Sequence, residues 1–313
     1  MEDFIFHEGS LPDDHNADFD FTLFNQPNHL FIQSPENWHS FSVLNKKYRT
    51  VEAIFFVHIY DGLARSPLKS PWGSFEISSA IPNLILYEFL EFVESRLKAK
   101  GVKKLIIKEP PACYQPDRAA LFHTFLFNQG YRVSDAEVGA VIHVTENSFE
   151  SYPDSWELRK LKQSYEGGLQ FRQLRIEQLS DIYLFILTCR KHRGYSLSMS
   201  LSELKHTVEN FKNDFRLFGV FKNETLAAAS IAIQVKKEIL YNFYSAHHPD
   251  FNAFSPVVML IEGLYQHCSK KQIKFLDLGT SAVDGKPNFN LLDFKLRLGA
   301  KPSAKFTFEK DLV

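Results

Sequence analysis

The chain has 313 residues, 44% of them hydrophobic and 23% charged, with a formal net charge of -1 at pH 7. That is the length and balance of a soluble globular protein of about two domains with a large core. Three dispersed cysteines, Cys113, Cys189 and Cys268, without a CxxC or paired histidine spacing, point to neither a disulfide framework nor a zinc site. Nowhere is there an apolar run of about 18 residues that could span a bilayer. No dense basic stripe of the kind a large nucleic-acid footprint needs is present.

The N-terminus, Met1 to Asp20, is acidic and lacks the basic and apolar regions of a targeting segment, so the expected compartment is the cytoplasm. A strand is predicted over Val51 to Ile59. The loop Arg65-Ser66-Pro67-Leu68-Lys69-Ser70-Pro71-Trp72-Gly73 follows. It is a candidate binding element, in which Lys69 offers a cation and Trp72 a flat apolar face; the alternative is an ordinary turn with Trp72 plugging the core. Leu86, Phe89, Leu90, Val93 and Leu97 then form the stripe of an amphipathic helix. A charged turn, the strand Leu105 to Ile107, the turn Glu109-Pro110-Pro111, a helix from Ala119 to Asn128, the cap-like Gly130 and a last strand complete the first half.

The second half opens with a helix over Ser155 to Tyr165 that carries Arg159, Lys160 and Lys162. Helices over Leu179 to Arg190 and Leu201 to Phe211 precede three strands, Phe215 to Phe221, Ala227 to Gln234 and Glu238 to Ser245. Val257, Leu260, Ile261, Leu264 and Cys268 then repeat the offsets of the first stripe. The strand Phe275 to Leu278, the loop Gly279-Thr280-Ser281, a helix from Phe289 to Arg297 and Gly299 repeat what followed it. Two copies of one βα unit imply two copies of one fold, an α/β architecture (α+β mixed sheet) with tandem domains over 1–150 and 151–313. Residues 1–149 hold 13 Lys+Arg against 19 Asp+Glu, and 150–313 hold 23 against 18, an asymmetry that suits an anionic ligand on the second half or simply solvated helix faces.

The segment Phe275 to Ala300, with Ser155 to Phe171 and Ile239 to Pro256, resembles the tandem GNAT-fold proteins related to the Fem (FemABX) peptidoglycan aminoacyltransferases and acetyltransferase-like domains of that superfamily. The resemblance begins around Asp18 and is most specific from Trp156 onward. It rests on the Arg159-Lys160-x-Lys162 helix leading to Gly168-Leu169, on Tyr241-Asn242-x-Tyr244-Ser245-Ala246, on the Ser255-Pro256 helix start, and on Asp277-x-Gly279-x-Ser281 leading to Phe294-Lys295. It implies two GNAT-like (acyl-CoA N-acyltransferase) domains. In that fold the fourth and fifth strands splay and hold an acyl donor, with phosphates near a helix N-terminus.

Two donors follow from the resemblance, coenzyme A (acetyl-CoA) and aminoacyl-tRNA, with no metal; the acceptor would be a small-molecule or peptide amine. The stretch His247 to Pro256 has no glycine where acetyltransferases carry their pyrophosphate loop, and Pro256 has no N–H, which favours the Fem-like branch and leaves tRNA as a possible partner. The shared chemistry is aminolysis of an activated ester or thioester. The resemblance places Lys295 near the donor end, as a cation for phosphate or developing charge, against the alternative of a surface lysine. Asp277 would orient the amine or merely cap the loop at Thr280 or Ser281. Phe294 and Ser281 belong to the same block. Tyr241 and Tyr244, three apart on a strand, are expected on opposite faces. Ser255 would cap its helix or face an anion. His247 and His248 could act as bases near neutral pH, and the cluster Arg190-Lys191-His192-Arg193 could meet phosphate or lie solvated at a helix end.

Overall fold

The computed structural model describes residues 3–17, 19–283 and 285–312, so Asp18, where the resemblance begins, lies outside it. Chain contacts divide it into two compact units, Met1–Glu137 with Ala304–Val313, and Val138–Ser303.

The first unit contains β1 (Phe4–Glu8), β2 (Asn16–Ala17), α1 (Pro27–Gln33), β3 (Trp38–Asn45), β4 (Thr50–Tyr60), β5 (Leu63–Ser66), β6 (Phe75–Ile77), α2 (Asn83–Ala99), β7 (Lys104–Lys108) and α3 (Pro116–Asn128). The chain then leaves it within β8 (Arg132–His143). Antiparallel pairing joins β1 to β3, β3 to β4 and β4 to β5, and a parallel step joins β5 to β7. α2 forms where the apolar stripe predicts it, and its Leu86, Phe89, Leu90, Val93 and Leu97 are buried against Phe41, Phe55 and Phe122. Cutting a core phenylalanine such as Phe89 to alanine costs about 3–5 kcal/mol.

The second unit continues with α4 (Ser155–Glu166), β9 (Leu169–Leu174), α5 (Leu179–Lys191), α6 (Leu201–Asn210), β10 (Phe215–Lys222), β11 (Thr225–Lys236) and β12 (Ile239–His247). After these come α7 (Pro256–Lys270), β13 (Phe275–Thr280), a short hairpin of β14 (Ala282–Val283) and β15 (Lys286–Pro287), α8 (Phe289–Arg297) and the start of β16 (Lys301–Asp311). β9, β10, β11 and β12 form an antiparallel meander, β13 adds in parallel to β12, and the end of β8 pairs antiparallel with β13. α7 is buried on more than its predicted stripe, since Val258, Met259 and Tyr265 are covered as well. Its core partners include Phe218, Leu276 and Leu298.

The two cap glycines behave as their sequence context requires. Gly130 and Gly299 have φ of +83° and +89°, a region that side chains with a Cβ rarely adopt. β16 completes the first unit rather than the second: Thr307 to Asp311 pair with Lys108 to Lys104 of β7, and Phe308 and Leu312 enter the first core.

Candidate functional site

In the second unit β12 and β13 pair only through Ile239 with Phe275, Leu240 with Leu276 and Tyr241 with Asp277. Beyond that point both strands continue, to His247 and Thr280, without a ladder between them. A bulge is the local cause. Ala232 pairs with Asn242 and Ile231 with Tyr244, so Phe243 is left out of register and the strand bends at that residue.

The bulge also corrects the expectation that Tyr241 and Tyr244 face opposite sides. One inserted residue restores the two tyrosines to a common side, and the charge of Arg190 is influenced by both. Tyr244 is buried, its ring stacked at 3.9 Å on Phe243. Its hydroxyl meets Ser198 Oγ at 2.5 Å and accepts the Met199 N–H at 3.0 Å, so it anchors the loop between α5 and α6. Tyr241 stays half-buried on the same strand.

Lys295 is not a surface lysine. It is 7% exposed, and its Nζ donates to the carbonyls of Gly279 and Thr280, both at 2.9 Å, where β13 ends. α8 is held at both ends: the Asn288 side chain accepts the Leu291 N–H, and the Ala300 N–H, just after the Gly299 cap, closes on Lys295 O. Burial pushes the ammonium down to about 8; the nearby Arg190 pushes the same way, and Asp277 opposes both. Asp277 is 1% exposed, and its Oδ1 accepts the Gly279 N–H at 2.6 Å, fixing the turn whose carbonyls hold Lys295. The loop-capping role is therefore real, with Gly279 as the bonded residue.

Arg190, in the last turn of α5, completes the group. Its guanidinium is half-buried 5.3 Å from the Tyr244 ring centroid, and its hydrogen bond is from Nε to Ser245 O at 3.4 Å. Burial lowers its pKa. The sequence shows this arginine only as part of a basic cluster. What distinguishes it is its place on the covered side of α5, while Lys191, His192 and Arg193 are exposed. Arg193 reaches back to His247 Nε2 at 2.6 Å, and that nitrogen lies 2.8 Å from Asn252 Oδ1. Burial and Arg193 hold His247 down to about 4, so it is neutral at physiological pH; it is engaged rather than free to exchange protons. His248 Nδ1 accepts the Asp250 N–H at 3.3 Å.

The other sequence-predicted residues take varied positions. Ser281 is buried beside the Lys295 carbonyls, and its Oγ has no hydrogen-bond partner. Phe294 packs on the second core. Ser255 occupies the N-cap of α7 in a left-handed conformation, φ 51° and ψ 49°, and its side chain makes no capping bond. The end of the loop before α7 is tied to α4, with Ser164 Oγ donating to Phe254 O at 2.7 Å and lying 3.2 Å from Ser255 O, while Pro249, Asp250, Asn252 and Ala253 are exposed. Lys222 Nζ stands 3.2 Å from the Phe254 ring centroid. Lys69 and Trp72 belong to the first unit. Lys69 is exposed, but Trp72 is 2% exposed, edge-on to Phe24 at 4.9 Å, so the tryptophan plugs the core and offers no face to a ligand. Among the described residues no helix is long and apolar enough to cross a membrane.

A family model described as an acetyltransferase (GNAT) domain matches residues 157–290. No curated protein sequence matches the chain. Among solved structures, FemX aligns with a TM-score of 0.70 at 11% identity, covering 92% of each chain. The C-terminal domain of a lysylphosphatidylglycerol synthetase from Agrobacterium fabrum, there called putative, aligns at 0.52 and 12% identity, covering 83% of this chain and 81% of that one. A tandem GNAT protein from the clavulanic acid biosynthesis pathway aligns at 0.50 and 10% identity, covering 88% and 83%. The repeated βα unit, the parted β12 and β13 and these alignments agree: the chain is a mixed α/β protein of tandem GNAT fold, similar to FemX.

Proposed function

We propose that the protein is an acyltransferase that moves an acyl or aminoacyl group from an activated ester or thioester to an amine, with its site between β12 and β13 of the second unit. The observation that carries this reading is the buried Lys295, held by the Gly279 and Thr280 carbonyls where the two strands part. The incoming amine attacks the acyl carbon, a C–N bond forms, the bond to the leaving oxygen or sulfur breaks, and the amine loses a proton. Below about pH 8 Lys295 is mainly the ammonium, a preorganised positive charge for the oxyanion of that step. Asp277 positions it by fixing the Gly279 turn. Arg190, half-buried and bonded through Nε alone, leaves donors for an anionic part of donor or acceptor.

The loop from His247 to Pro256 favours an aminoacyl ester over a coenzyme A thioester as donor, because it has no glycine amides to present to a pyrophosphate and Pro256 has no N–H. Through its resemblance to the Fem-like enzymes this reading extends to aminoacyl-tRNA as donor and a peptide amine as acceptor. Thermal unfolding with acetyl-CoA, coenzyme A, a uridine-diphosphate sugar peptide and charged tRNA tests it. A ligand at a hundred times its Kd stabilises the folded state by about 2.7 kcal/mol. A shift with charged tRNA or the nucleotide peptide supports the Fem-like reading. A shift with coenzyme A alone replaces it with an acetyl-CoA-dependent N-acetyltransferase, and no shift with any of the four favours a binding or scaffolding protein.

A further inference from the structure

The two carbonyls on Lys295 Nζ do more than hold a cation. They occupy two of the three N–H groups of an ammonium, and they remain satisfied when the third proton leaves. The neutral amine then keeps its orientation, with its lone pair where the third N–H had been. No carboxylate of the described residues lies within ion-pair distance of Nζ. The charged groups acting on it are Asp277 from β13 and Arg190 from α5, and Tyr241 and Tyr244 of β12 act in turn on Arg190. A cation so placed gives up its proton more readily than a solvated lysine.

We propose that Lys295 is a self-acylation site: when an activated ester occupies the parted strands and no acceptor amine is present, Lys295 Nζ takes the acyl group. The neutral amine attacks the acyl carbon, a C–N bond forms, the ester C–O bond breaks, the alkoxide or phenolate departs with the electron pair, and the nitrogen releases its extra proton to solvent. The product is a neutral amide that removes the site's cation, so acylation silences the protein. For the natural donor this rests on the acyltransfer reading; the nucleophile itself is testable without that donor.

The probe is p-nitrophenyl acetate, applied in less than stoichiometric amount to the full chain, with peptide mass mapping of every lysine. At pH 8 about half of Lys295 is neutral, against roughly one in 300 of a lysine of pKa 10.5, a ratio of about 150 in reactive amine. Burial restricts access, so the expected result is labelling at least about tenfold faster than the median exposed lysine, with the advantage lost in guanidinium. The Lys295 rate should level off above about pH 9 while surface lysines keep accelerating. Labelling of Lys295 no faster than the median exposed lysine in the native state at both pH 8 and pH 9 overturns the proposal. Selective labelling without turnover of any natural donor sinks the acyltransfer reading and leaves this site standing; turnover of a natural donor without labelling does the reverse.

Discussion

The two copies of the βα unit close their helices with the same bonds and fill the same backbone differently. Val102 N–H closes on Leu97 O after α2, as Ile273 N–H closes on Cys268 O after α7; Tyr131 N–H closes on Leu126 O after α3, as Ala300 N–H closes on Lys295 O after α8. Counted from these anchors, Ile106 stands where the second unit has Asp277, and the fully buried Leu126 stands where it has Lys295. The loops after the paired strands also differ. In the first unit Gly73 N–H bonds Lys108 O at 3.0 Å, Ser74 N–H bonds Ser66 Oγ, Ser74 Oγ bonds Glu109, and Trp72 lies beneath. The region beyond β5 and β7 is thus stitched and packed, whereas β12 and β13 part around charged side chains. The duplication carries the backbone, and side chains decide where chemistry can occur.

The comparison breaks if the first unit accepts the second unit's cation. Leu126→Lys should cost about 4 kcal/mol in urea unfolding, because it buries an ammonium in the first apolar core; a cost below about 1 kcal/mol would show that the two environments are equivalent. In the second unit, Lys295→Met should lower turnover of any accepted donor about a hundredfold, read as kcat/KM, while leaving a folded protein.

The same variant exposes the energetic cost of the site. Holding Lys295 at about 8 instead of 10.5 corresponds to about 3 kcal/mol of destabilisation, present in full below pH 8. Between about pH 8 and 10.5 the unfolded chain binds more protons than the folded one, so stability rises with pH there. Unfolding free energies of the wild type and Lys295→Met, compared from pH 7 to 10.5, should converge or cross by about that amount in favour of the wild type. A pH-independent difference would show that the lysine is not desolvated.

The smallest effect sharpens the contrast between helix starts. α2 begins after Pro82 in an extended conformation, while α7 begins after Ser255 in a left-handed one without a side-chain bond. Ser255→Gly should therefore raise stability by about 0.5 kcal/mol, measured as an increase in Tm; a decrease would assign the serine hydroxyl a role in the folded state.

Much of this fold is readable in the residues. The stripes of α2 and α7 have helical spacing, α8 runs over Phe289 to Arg297 as expected, and Gly130 and Gly299 mark the ends. The site is less so. Periodicity assigns a lysine near a helix end to solvent, whereas the Gly279 and Thr280 carbonyls, with the charge of Asp277, make burial of Lys295 tolerable. Alternation misplaces Tyr241 relative to Tyr244 because a single bulge at Phe243 leaves no compositional trace. Trp72 looks like a ligand platform in a loop of prolines and serines, yet that loop turns inward and seals itself to the end of β7. The resemblance to the Fem-like proteins singles out Asp277 and Lys295 as one block, which periodicity does not.

The return of β16 to the first unit has a consequence for synthesis. As the chain leaves the ribosome, β7 emerges long before its antiparallel neighbour, and the first core waits for Phe308 and Leu312 while residues 138–303 are made. At about 5–20 residues per second that interval is on the order of ten seconds. Throughout it one edge of β7 stays unpaired until β16 arrives, leaving a row of free N–H and C=O groups of the kind that invites pairing with other strands.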